Sequence, residues 1–388
     1  MRKIMGNCII FKNQRLLNNG KAATHAIVIG VGEYLYLTGG SGGKVTKLDG
    51  GLQQLSSPPE SAVAFAEWLL EKFNNPEKPL ATLSLLVSRK GGPLKFNHQK
   101  LPGAVTLEPA TIDYVKDAIR EWYDFGDRNE KNLLLFFYCG HGVSRGLEEL
   151  ALLMSDYGED DRMPMEGAID FAALHRGMNQ CRAIQQCYFI DACRKISDIA
   201  ARTTATGNPI IQDNLNRPYS SPRNDAVFYS TLGGEAAYGR KNKPSYYTEE
   251  LIKGLNGLGS NNRNAEGKWR VSTGDLNTAI HRGLFLRGDK ISEPMTHQVY
   301  FEFHELKKDP LALAIVFCDP RTDHELATLS CRQKNKKIDS RAPAKDDWEV
   351  IIPYGHYDFI AQIQRRKGRK PNQLIWPPYK EIKIEVAP

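Results

Sequence analysis

The chain has 388 residues, of which 41% are hydrophobic and 25% are charged, a composition that is typical of soluble globular proteins and excludes a disordered or fibrous one. Single hydrophobic cores rarely grow beyond about 250–300 residues, so this length predicts a main domain and a smaller second one. The formal net charge of +7 is modest for such a length and by itself indicates no class of partner.

Cysteine spacing and the N-terminus both favour a reducing, cytoplasmic location. The seven cysteines include no Cys-x-x-Cys pair and no spacing with histidine of the zinc-finger type. The first apolar run, "CIIF" at 8–11, is too short for a secretory signal. No window approaches the roughly 18 apolar residues of a membrane span. We therefore expect a cytoplasmic protein with no membrane partner, in which Cys139 and Cys187 are small buried residues.

Residues 1–23 are polar and predict a lead-in, after which short apolar runs alternate with helical patterns. The predicted strands cover 25–34, 81–88, 132–139, 185–191, 225–232 and 296–303, and the predicted helices cover 57–73, 111–125, 170–178 and 246–255. This alternation is typical of a parallel sheet covered by helices on both faces.

After about residue 308 the pattern changes to short alternating runs separated by turn residues, which predicts a small β-sandwich. The sequence thus predicts an N-terminal lead-in over 1–23, a main α/β domain over 24–307 and a C-terminal β-rich domain over 308–388.

Two predicted strands end in residues that could carry chemistry. "FFYCGHG" (136–142) ends at His141 and Gly142, and "YFIDACR" (188–194) ends at Cys193. In open α/β sheets, active sites collect where the carboxyl ends of parallel strands meet. A nearby imidazole can take the proton of a thiol and later deliver it to a leaving amine, and the N–H groups of Gly142 and Cys193 could stabilise an oxyanion. The alternative is a satisfied histidine and an inert cysteine.

These segments resemble the caspase-like cysteine peptidases, which include caspases, metacaspases and bacterial caspase-like proteins. The resemblance covers about 25–304 and includes "HAIVIGVGEY", "FFYCGHG", "YFIDACR", "VFYSTLGGEAAYG" and "SYYTEELIKGL". It implies an α/β three-layer sandwich with a six-stranded, mostly parallel sheet, to which the C-terminal β-sandwich is added. It also implies that His141 is the general acid and base and that Cys193 is the nucleophile.

The main departure from the family concerns the substrate. Animal caspases have Gln-Ala-Cys-Arg-Gly where this chain has "DACRK" (191–195). The resemblance places Asp191 in the S1 pocket, where a carboxylate would attract a basic side chain and repel an acidic one. We therefore expect cleavage after Arg, with Lys second. The alternative is that Asp191 caps a helix that begins near Ala192.

The segment "STLGGE" (230–235) supplies weaker candidates for the substrate site. Ser230 and Thr231 end the fifth predicted strand and could contribute backbone contacts to an extended substrate. Glu235 could add a second carboxylate to the S1 pocket, although a surface glutamate in a glycine-rich loop is common.

Two loops invite comparison with regulated family members. Family members are often cut between the fourth and fifth strands, and with an Arg-preferring site Arg202, Arg217 and Arg223 become candidate self-cleavage positions. The alternative is that this segment is a specificity loop that is not cut. Some metacaspases bind calcium through an acidic cluster, but the spacing in "SDYGEDD" (155–161) does not match an EF-hand, so we expect a solvated turn and no cofactor.

The basic run at 364–373 predicts an exposed hairpin tip, and we expect no nucleic-acid partner.

The leading functional prediction is a cysteine endopeptidase that cleaves proteins after basic residues, kept latent until an upstream sensor or activator protein releases it, in a bacterial defence or cell-death pathway. A catalytically silent scaffold on the same fold is the first alternative. The second is a nucleic-acid-binding module that uses the late basic run, with salt-sensitive binding that survives mutation of Cys193.

Overall fold

The structure is a computed structural model that describes residues 8–144, 149–193, 207–212, 223–231, 240–260, 262–287, 295–298 and 300–387. The chain forms two compact units. The first contains Met1–Ile252 and Ile280–Phe301, and the second contains Lys253–Ala279 and Glu302–Pro388. The C-terminal segment of the second unit begins at Glu302, a few residues before the predicted boundary at 308, and the unit also includes Lys253–Ala279, which the sequence pattern assigned to the main domain.

Within the described residues, the helices are α1 (Gln14–Asn18), α2 (Ser57–Glu71), α3 (Ile112–Gly126), α4 (Phe171–Gly177), α5 (Tyr246–Lys253), α6 (Thr273–Phe285) and α7 (Arg321–His324), with shorter 3₁₀ or π turns at Pro164–Gly167, Met178–Gln180 and Gly254–Leu258. The strands are β1 (Ile9–Lys12), β2 (Thr24–Val31), β3 (Leu80–Ser88), β4 (Lys95–Phe96), β5 (Val105–Thr106), β6 (Leu133–Gly140), β7 (Gly142–Ser144), β8 (Leu150–Leu153), β9 (Ala168–Asp170), β10 (Gln185–Ala192), β11 (Asn224–Tyr229), β12 (Asn262–Arg263), β13 (Trp269–Ser272), β14 (Met295–Gln298), β15 (Glu302–Glu305), β16 (Leu311–Asp319), β17 (Thr328–Gln333), β18 (Lys336–Arg341), β19 (Trp348–Pro353), β20 (Gly355–Ile363), β21 (Arg366–Ile375) and β22 (Tyr379–Glu385). None of these helices is long and apolar enough to span a bilayer.

The main sheet of the first unit has the strand order β1-β3-β2-β6-β10-β11-β14. In this order the five strands β3, β2, β6, β10 and β11 run parallel to one another. Strand β14 joins β11 antiparallel at one edge. These six strands confirm the predicted mostly parallel sheet. All residues of β2 and β6 are buried, which explains why both read as unbroken apolar runs.

Helices cover both faces of this sheet, as the predicted three-layer sandwich requires. Ile27 and Ile29 of β2 belong to a core that also contains residues of α3 and α4. Gly30 faces the other way, because a Cβ at this glycine would lie 2.7 Å from the Cβ of Ala62 and from the carbonyl oxygen of Pro58, both in α2. Alternate residues of one strand therefore pack against different helical layers.

Two sequence-based assignments in this unit are wrong. The lead-in over 1–23 contains β1 and α1, and β1 pairs antiparallel with β3. Its short apolar run acquires a strand partner only because the edge of β3 lies beside it. The sixth predicted strand, 296–303, is split between β14 in the main sheet and β15, which pairs with β13 in a separate sheet of the second unit.

The second unit contains the predicted β-sandwich. One sheet has the order β19-β16-β22 and the other has the order β18-β17-β20-β21. Side chains from both sheets form one core, which includes Val316, Val350, Leu329, Phe359 and Ile384. The alternation of buried and exposed residues along β19 and β22 follows from burial of one face only.

The close approach of α2 to β2 can be tested at Gly30. We expect Gly30→Ala to lower the free energy of unfolding by about 1–3 kcal/mol, because the added methyl group would overlap backbone and side-chain atoms of α2. The measurement is denaturant unfolding of both proteins. Gly103→Ala is the control, since a Cβ there would have nothing within 4 Å, and equal losses in both variants would contradict this packing argument.

Candidate active site

The site is built on the pairing of two parallel strands. In the register of β10 with β6, Asp191 lies opposite Cys139 and Ala192 lies opposite Gly140. The next residue of each chain segment is Cys193 and His141, respectively. Neighbouring strands are about 4.8 Å apart, so the structure brings the predicted imidazole and thiol to the same end of adjacent strands.

Gly142 allows these two segments to come together. A Cβ on this residue would lie only 2.4 Å from the carbonyl oxygen of Cys193, so any side chain would force the two segments apart. The Leu153 N–H donates to the His141 carbonyl at 3.0 Å, which makes Gly142 and Leu152 a non-hydrogen-bonded pair of β7 and β8. The Gly142 N–H therefore points away from β8 and is not used in that ladder.

Hydrogen bonds hold the His141 ring and backbone in place. Its Nε2 lies 2.7 Å from the carbonyl oxygen of Gln53, and its backbone N–H donates to the Tyr34 hydroxyl at 2.6 Å. The Tyr34 and His141 rings also contact each other, with centroids 4.7 Å apart. A carbonyl can only accept, so Nε2 carries a proton. Burial lowers the pKa of His141, which the bond to Gln53 partly offsets; the ring is therefore neutral near pH 7 and Nδ1 is left as its basic atom.

The loop that carries the Gln53 carbonyl is itself fixed by the next side chain. The Gln54 amide accepts from the Tyr34 N–H at 2.8 Å and donates to the Tyr34 carbonyl at 2.9 Å and to the Thr38 carbonyl at 3.2 Å. Gln54 thus ties the segment after β2 to the segment before α2. These bonds position both groups that contact His141.

Cys193 differs from the other cysteines in exposure. Cys8, Cys139, Cys181, Cys187, Cys318 and Cys331 are buried, whereas Cys193 is half-buried. This confirms the prediction that Cys139 and Cys187 are small buried residues. Burial raises the pKa of Cys8 to about 12 and raises that of Cys187 well above its ordinary value, so these thiols stay protonated. Among the seven, Cys193 is the one cysteine that is not buried.

Asp191 is almost fully buried, with 3% of its surface exposed, and it is surrounded by neutral donors. Its Oδ2 accepts from the Ser245 hydroxyl, from the Thr248 hydroxyl at 2.8 Å and from the Cys139 thiol at 3.3 Å. Burial raises the pKa of Asp191, and the hydroxyl and thiol bonds act in the opposite direction. The alternative of a helix cap at Ala192 is wrong, because Asp191 and Ala192 are both in β10. The carboxylate instead contacts the first turn of α5.

The remaining predicted substrate residues have mixed outcomes. Ser230 and Thr231 are buried, and their hydroxyls lie 3.3 Å and 3.5 Å from the Ala192 carbonyl oxygen. Their side chains therefore support the segment next to Cys193. Glu235 lies outside the described residues.

The candidate self-cleavage positions Arg202 and Arg217 also lie outside the described residues. Arg223 is described, and its guanidinium is engaged within the fold. It donates to the His175 carbonyl at 2.8 Å and pairs with Asp225 at 3.1 Å. Its side chain is only 11% exposed.

The acidic loop uses most of its carboxylates within the protein. Asp156 accepts from the Ile112 N–H at 2.9 Å, at the start of α3. Asp160 pairs with Arg162 at 2.7 Å, and Asp161 accepts from Thr46 at 2.9 Å. A pocket of about 470 Å³ lies beside this loop and is lined by Asp113, Glu159, Glu166 and Lys116, among others. In the part of the chain that is described, no three His, Cys, Asp or Glu side chains are grouped so as to hold a metal ion.

Sequence analysis missed Tyr34, Gln53, Ser245 and Thr248. Tyr34 follows β2 at the same sheet edge as His141, so the strand-end argument could have identified it. The Gln53 contact is made by a backbone carbonyl, which leaves no signature in the residue type. Ser245 and Thr248 have the spacing of a capped helix start, since Ser245 Oγ accepts from the Thr248 N–H at 2.9 Å, but their contact with Asp191 is tertiary.

Three comparisons relate the chain to known proteins. The family model described as Caspase domain matches residues 91–277. The chain is 24% identical over 210 residues to an uncharacterized protein of Sinorhizobium fredii, covering 50% of this chain and 59% of that protein. It is 26% identical over 217 residues to a probable protease of a Desulfuromonadales bacterium, covering 53% of this chain and 24% of that protein. It thus spans less than two thirds of either relative. The crystal structure of caspase-1 from Spodoptera frugiperda is similar with a TM-score of 0.41 and 10% identity, covering 76% of this chain and 95% of that one.

The support that Tyr34 gives to His141 can be tested without any assay of activity. We expect Tyr34→Phe to lower the free energy of unfolding by about 1–3 kcal/mol, because the buried His141 N–H loses its acceptor while the ring contact remains. Denaturant unfolding measures the change. Tyr300→Phe is the control, since Tyr300 is 58% exposed. Unchanged stability of Tyr34→Phe would show that another group satisfies the N–H.

The acidic loop predicts opposite pH effects at two positions. Burial raises the pKa of Asp156 from 3.8 to about 6, so the folded chain holds a proton that the unfolded chain has lost, and stability falls as pH rises through that range. Asp156→Asn should remove this decrease in stability, so that above about pH 6 the variant has a larger free energy of unfolding than the wild type. The bond from Thr46 lowers the pKa of Asp161, so Asp161→Asn should be unfavourable at neutral pH. Urea unfolding at pH 4.5, 6 and 8 measures both, and the same sign for both would contradict the assignment.

Proposed function

We propose that this chain, of which residues 91–277 match the caspase domain model, is a caspase-like cysteine endopeptidase that cleaves proteins after Arg, and less well after Lys, through Cys193 and His141. The observation that carries the proposal is the position of these two residues directly after the paired ends of β6 and β10, with the His141 Nε2–H bound to the Gln53 carbonyl. This bond leaves Nδ1 as the atom that can exchange a proton with a thiol.

In the proposed mechanism, Nδ1 of His141 takes the Cys193 proton, and the thiolate attacks the carbonyl carbon of the scissile peptide. The N–H groups of Gly142 and Cys193 stabilise the oxyanion that forms. As the C–N bond breaks, the imidazolium gives its proton to the leaving amine and a thioester remains. His141 then removes a proton from water, which attacks the thioester and releases the new carboxyl terminus and the thiol.

The preference for a basic residue rests on Asp191. Its described contacts are hydroxyl and thiol groups, which solvate a carboxylate but do not neutralise it. Burial makes an uncompensated negative charge unfavourable, and a substrate guanidinium would supply the missing positive charge with two parallel hydrogen bonds. An ammonium supplies the charge but not this planar geometry, which ranks Arg above Lys. A P1 aspartate would be repelled.

If the chain cuts itself, Arg202 and Arg217 are the better candidates. Arg223 would have to give up its bonds to His175 and Asp225 before its side chain could enter an S1 pocket. Losing a largely buried ion pair leaves an unpaired charge, which is typically unfavourable by several kcal/mol. We therefore propose that Arg223 stays in place in the folded protein.

Both curated relatives are bacterial, and one is described as a probable protease. We propose a latent protease of a bacterial defence or cell-death pathway that acts in the cytoplasm after release by an upstream sensor protein. A silent scaffold on the same fold is the alternative, which the intact pair of His141 and Cys193 disfavours.

Fluorogenic peptides with Arg, Lys, Asp or Ala at P1 test the activity and its specificity together, with and without calcium. We expect release in the order Arg, Lys and then the others, and at least a thousandfold loss in Cys193→Ala, because the nucleophile is removed. We expect Asp191→Asn, which preserves side-chain shape, to lower kcat/KM for Arg by roughly tenfold to a thousandfold, with a much smaller effect on P1 Ala.

The pH profile and a thiol probe separate the remaining outcomes. The acidic limb of kcat/KM should lie below the ordinary histidine value of about 6.5, because burial lowers the pKa of His141. Preference for P1 Asp would overturn the role of Asp191 but not that of Cys193. Silence with every peptide, together with a Cys193 that an alkylating probe labels no faster in the wild type than in His141→Ala, would favour the scaffold.

A further inference from the structure

The β-sandwich of the second unit separates its charges between its two sheets. The sheet with the order β18-β17-β20-β21 consists of two hairpins, which contain only two acidic residues, Asp339 and Asp358. The basic residues of the same hairpins are Arg332, Lys334, Lys336, Lys337, Arg341, Arg365, Arg366, Lys367, Arg369 and Lys370. Ten basic residues and two acidic residues give these hairpins a formal net charge of +8, which is larger than the +7 of the whole chain.

The strand register places several of these cations on the outer face. Phe359 and Ala361 of β20 point into the core of the sandwich, so their neighbours Asp358, Ile360 and Gln362 lie on the opposite face. Directly paired residues share a face in an antiparallel sheet. In the strand register, Arg332 of β17 lies opposite Asp358 of β20 and opposite Lys337 of β18. Lys367 of β21 lies opposite Gln362 of β20. Arg332, Lys337 and Lys367 are therefore on the outer face, and all three are exposed.

Most of the cations of this sheet have no acidic partner. Arg369 pairs with Asp358 and Arg366 pairs with Asp323. Within the described residues, no carboxylate lies within ion-pair distance of the following seven: Arg332, Lys334, Lys336, Lys337, Arg365, Lys367 and Lys370. Elsewhere in the unit, exposed cations do have partners, as in Arg321 with Asp347 and Lys383 with Asp319. Such a concentration of uncompensated charge repels itself, and a polyanion would relieve it.

The outer face is long enough for a polymer. The paired row that contains Arg332 and the row that contains Gln362 and Lys367 are four residues apart along β20, which corresponds to about 13 Å. Lys334 and Arg365 extend this face at its two ends, because they lie in the turns of the two hairpins. About 13 Å of a nucleic-acid duplex carries roughly eight phosphates, so several of these cations could contact phosphate at the same time.

We propose that the outer face of the β18-β17-β20-β21 sheet binds the phosphate backbone of double-stranded nucleic acid without reading its sequence. The phenyl and phenol rings of the two hairpins, Phe359 and Tyr357, are buried, and the one exposed ring is the imidazole of His356, so the face lacks the series of rings on which successive unpaired bases would stack. Ile338 is the one large apolar side chain of these hairpins that is exposed. A single such side chain buries too little apolar area in a lipid bilayer for membrane binding. Ser330 and Ser340, which pair on the same face, add uncharged donors for phosphate oxygens.

This inference revises the sequence-based expectation that nucleic acid is not a partner. That expectation considered only the basic run at 364–373. The structure places residues of a second run, 332–337, on the same sheet. The inference does not depend on the proposed peptidase activity, because none of its residues is in the catalytic unit.

The test is fluorescence anisotropy of a labelled 30-base-pair duplex with the full chain carrying Cys193→Ala. We expect binding that weakens by roughly a hundredfold between 50 and 200 mM salt, as contact with about four phosphates requires. The same duplex is then titrated with Arg332→Gln/Lys337→Gln/Lys367→Gln, which should bind at least about tenfold more weakly. The control is Lys307→Gln/Lys308→Gln/Lys345→Gln, which removes the same charge from exposed positions of the unit outside this sheet and should bind within about twofold of the parent.

Three results would overturn the proposal. The first is no binding at 50 mM salt by a folded protein, as judged by circular dichroism. The second is an equal loss in both triple variants, which would indicate a general effect of net charge. The third is tighter binding to phosphatidylserine vesicles or to a single strand of the same length than to the duplex, which would assign the face to a lipid surface or to unpaired bases.

Discussion

The parallel pairing of β6 with β10 is the constraint on which the candidate site depends. Both strands are almost wholly buried, so their register is set by how their apolar side chains fill the layers above and below the sheet. A slip of one residue would move Cys193 by about 3.3 Å relative to His141 and turn its side chain to the other face. The same register brings Asp191 beside Cys139 and brings the Cys193 carbonyl against Gly142. Packing of the core therefore fixes the relative positions of His141, Cys193 and Asp191.

A chain of buried hydrogen bonds completes this positioning. Tyr138 donates to the His141 carbonyl at 2.8 Å, Tyr34 accepts from the His141 N–H, and the Gln53 carbonyl binds the ring. Gln54 holds the segments that carry Tyr34 and Gln53 together. Buried networks of this kind are worth more than isolated bonds when every member is satisfied. These bonds hold the imidazole in one tautomer and one orientation, as a preorganised site requires.

The two compact units differ in where their polar and charged groups lie. The first concentrates buried polar groups at one sheet edge, where exclusion of water strengthens each electrostatic interaction. The second has a dry apolar core between its sheets and keeps its charge on an outer face, where the positive field reaches into solvent. The proposed catalysis and the proposed binding of a polyanion make opposite demands on the dielectric environment, and the two proposals assign them to different units.

The sequence alone was enough to predict the main fold and to propose His141 and Cys193 as the candidate catalytic pair. Short apolar runs such as Leu133–Gly140 and Gln185–Ala192, alternating with helical patterns, predict strands buried on both faces. Parallel strands end at a common edge of the sheet, so the sequence could predict that His141 and Cys193 lie near each other. The C-terminal sandwich followed from alternating burial. Local patterns could not show contacts made by backbone atoms or across strand edges, because these depend on which segments become neighbours. Only the tertiary structure therefore decided that β1 joins the sheet, that Gln53 binds His141, and that Asp191 meets the start of α5. It also decided that two basic runs distant in the sequence share one sheet, because strand pairing alone makes them neighbours.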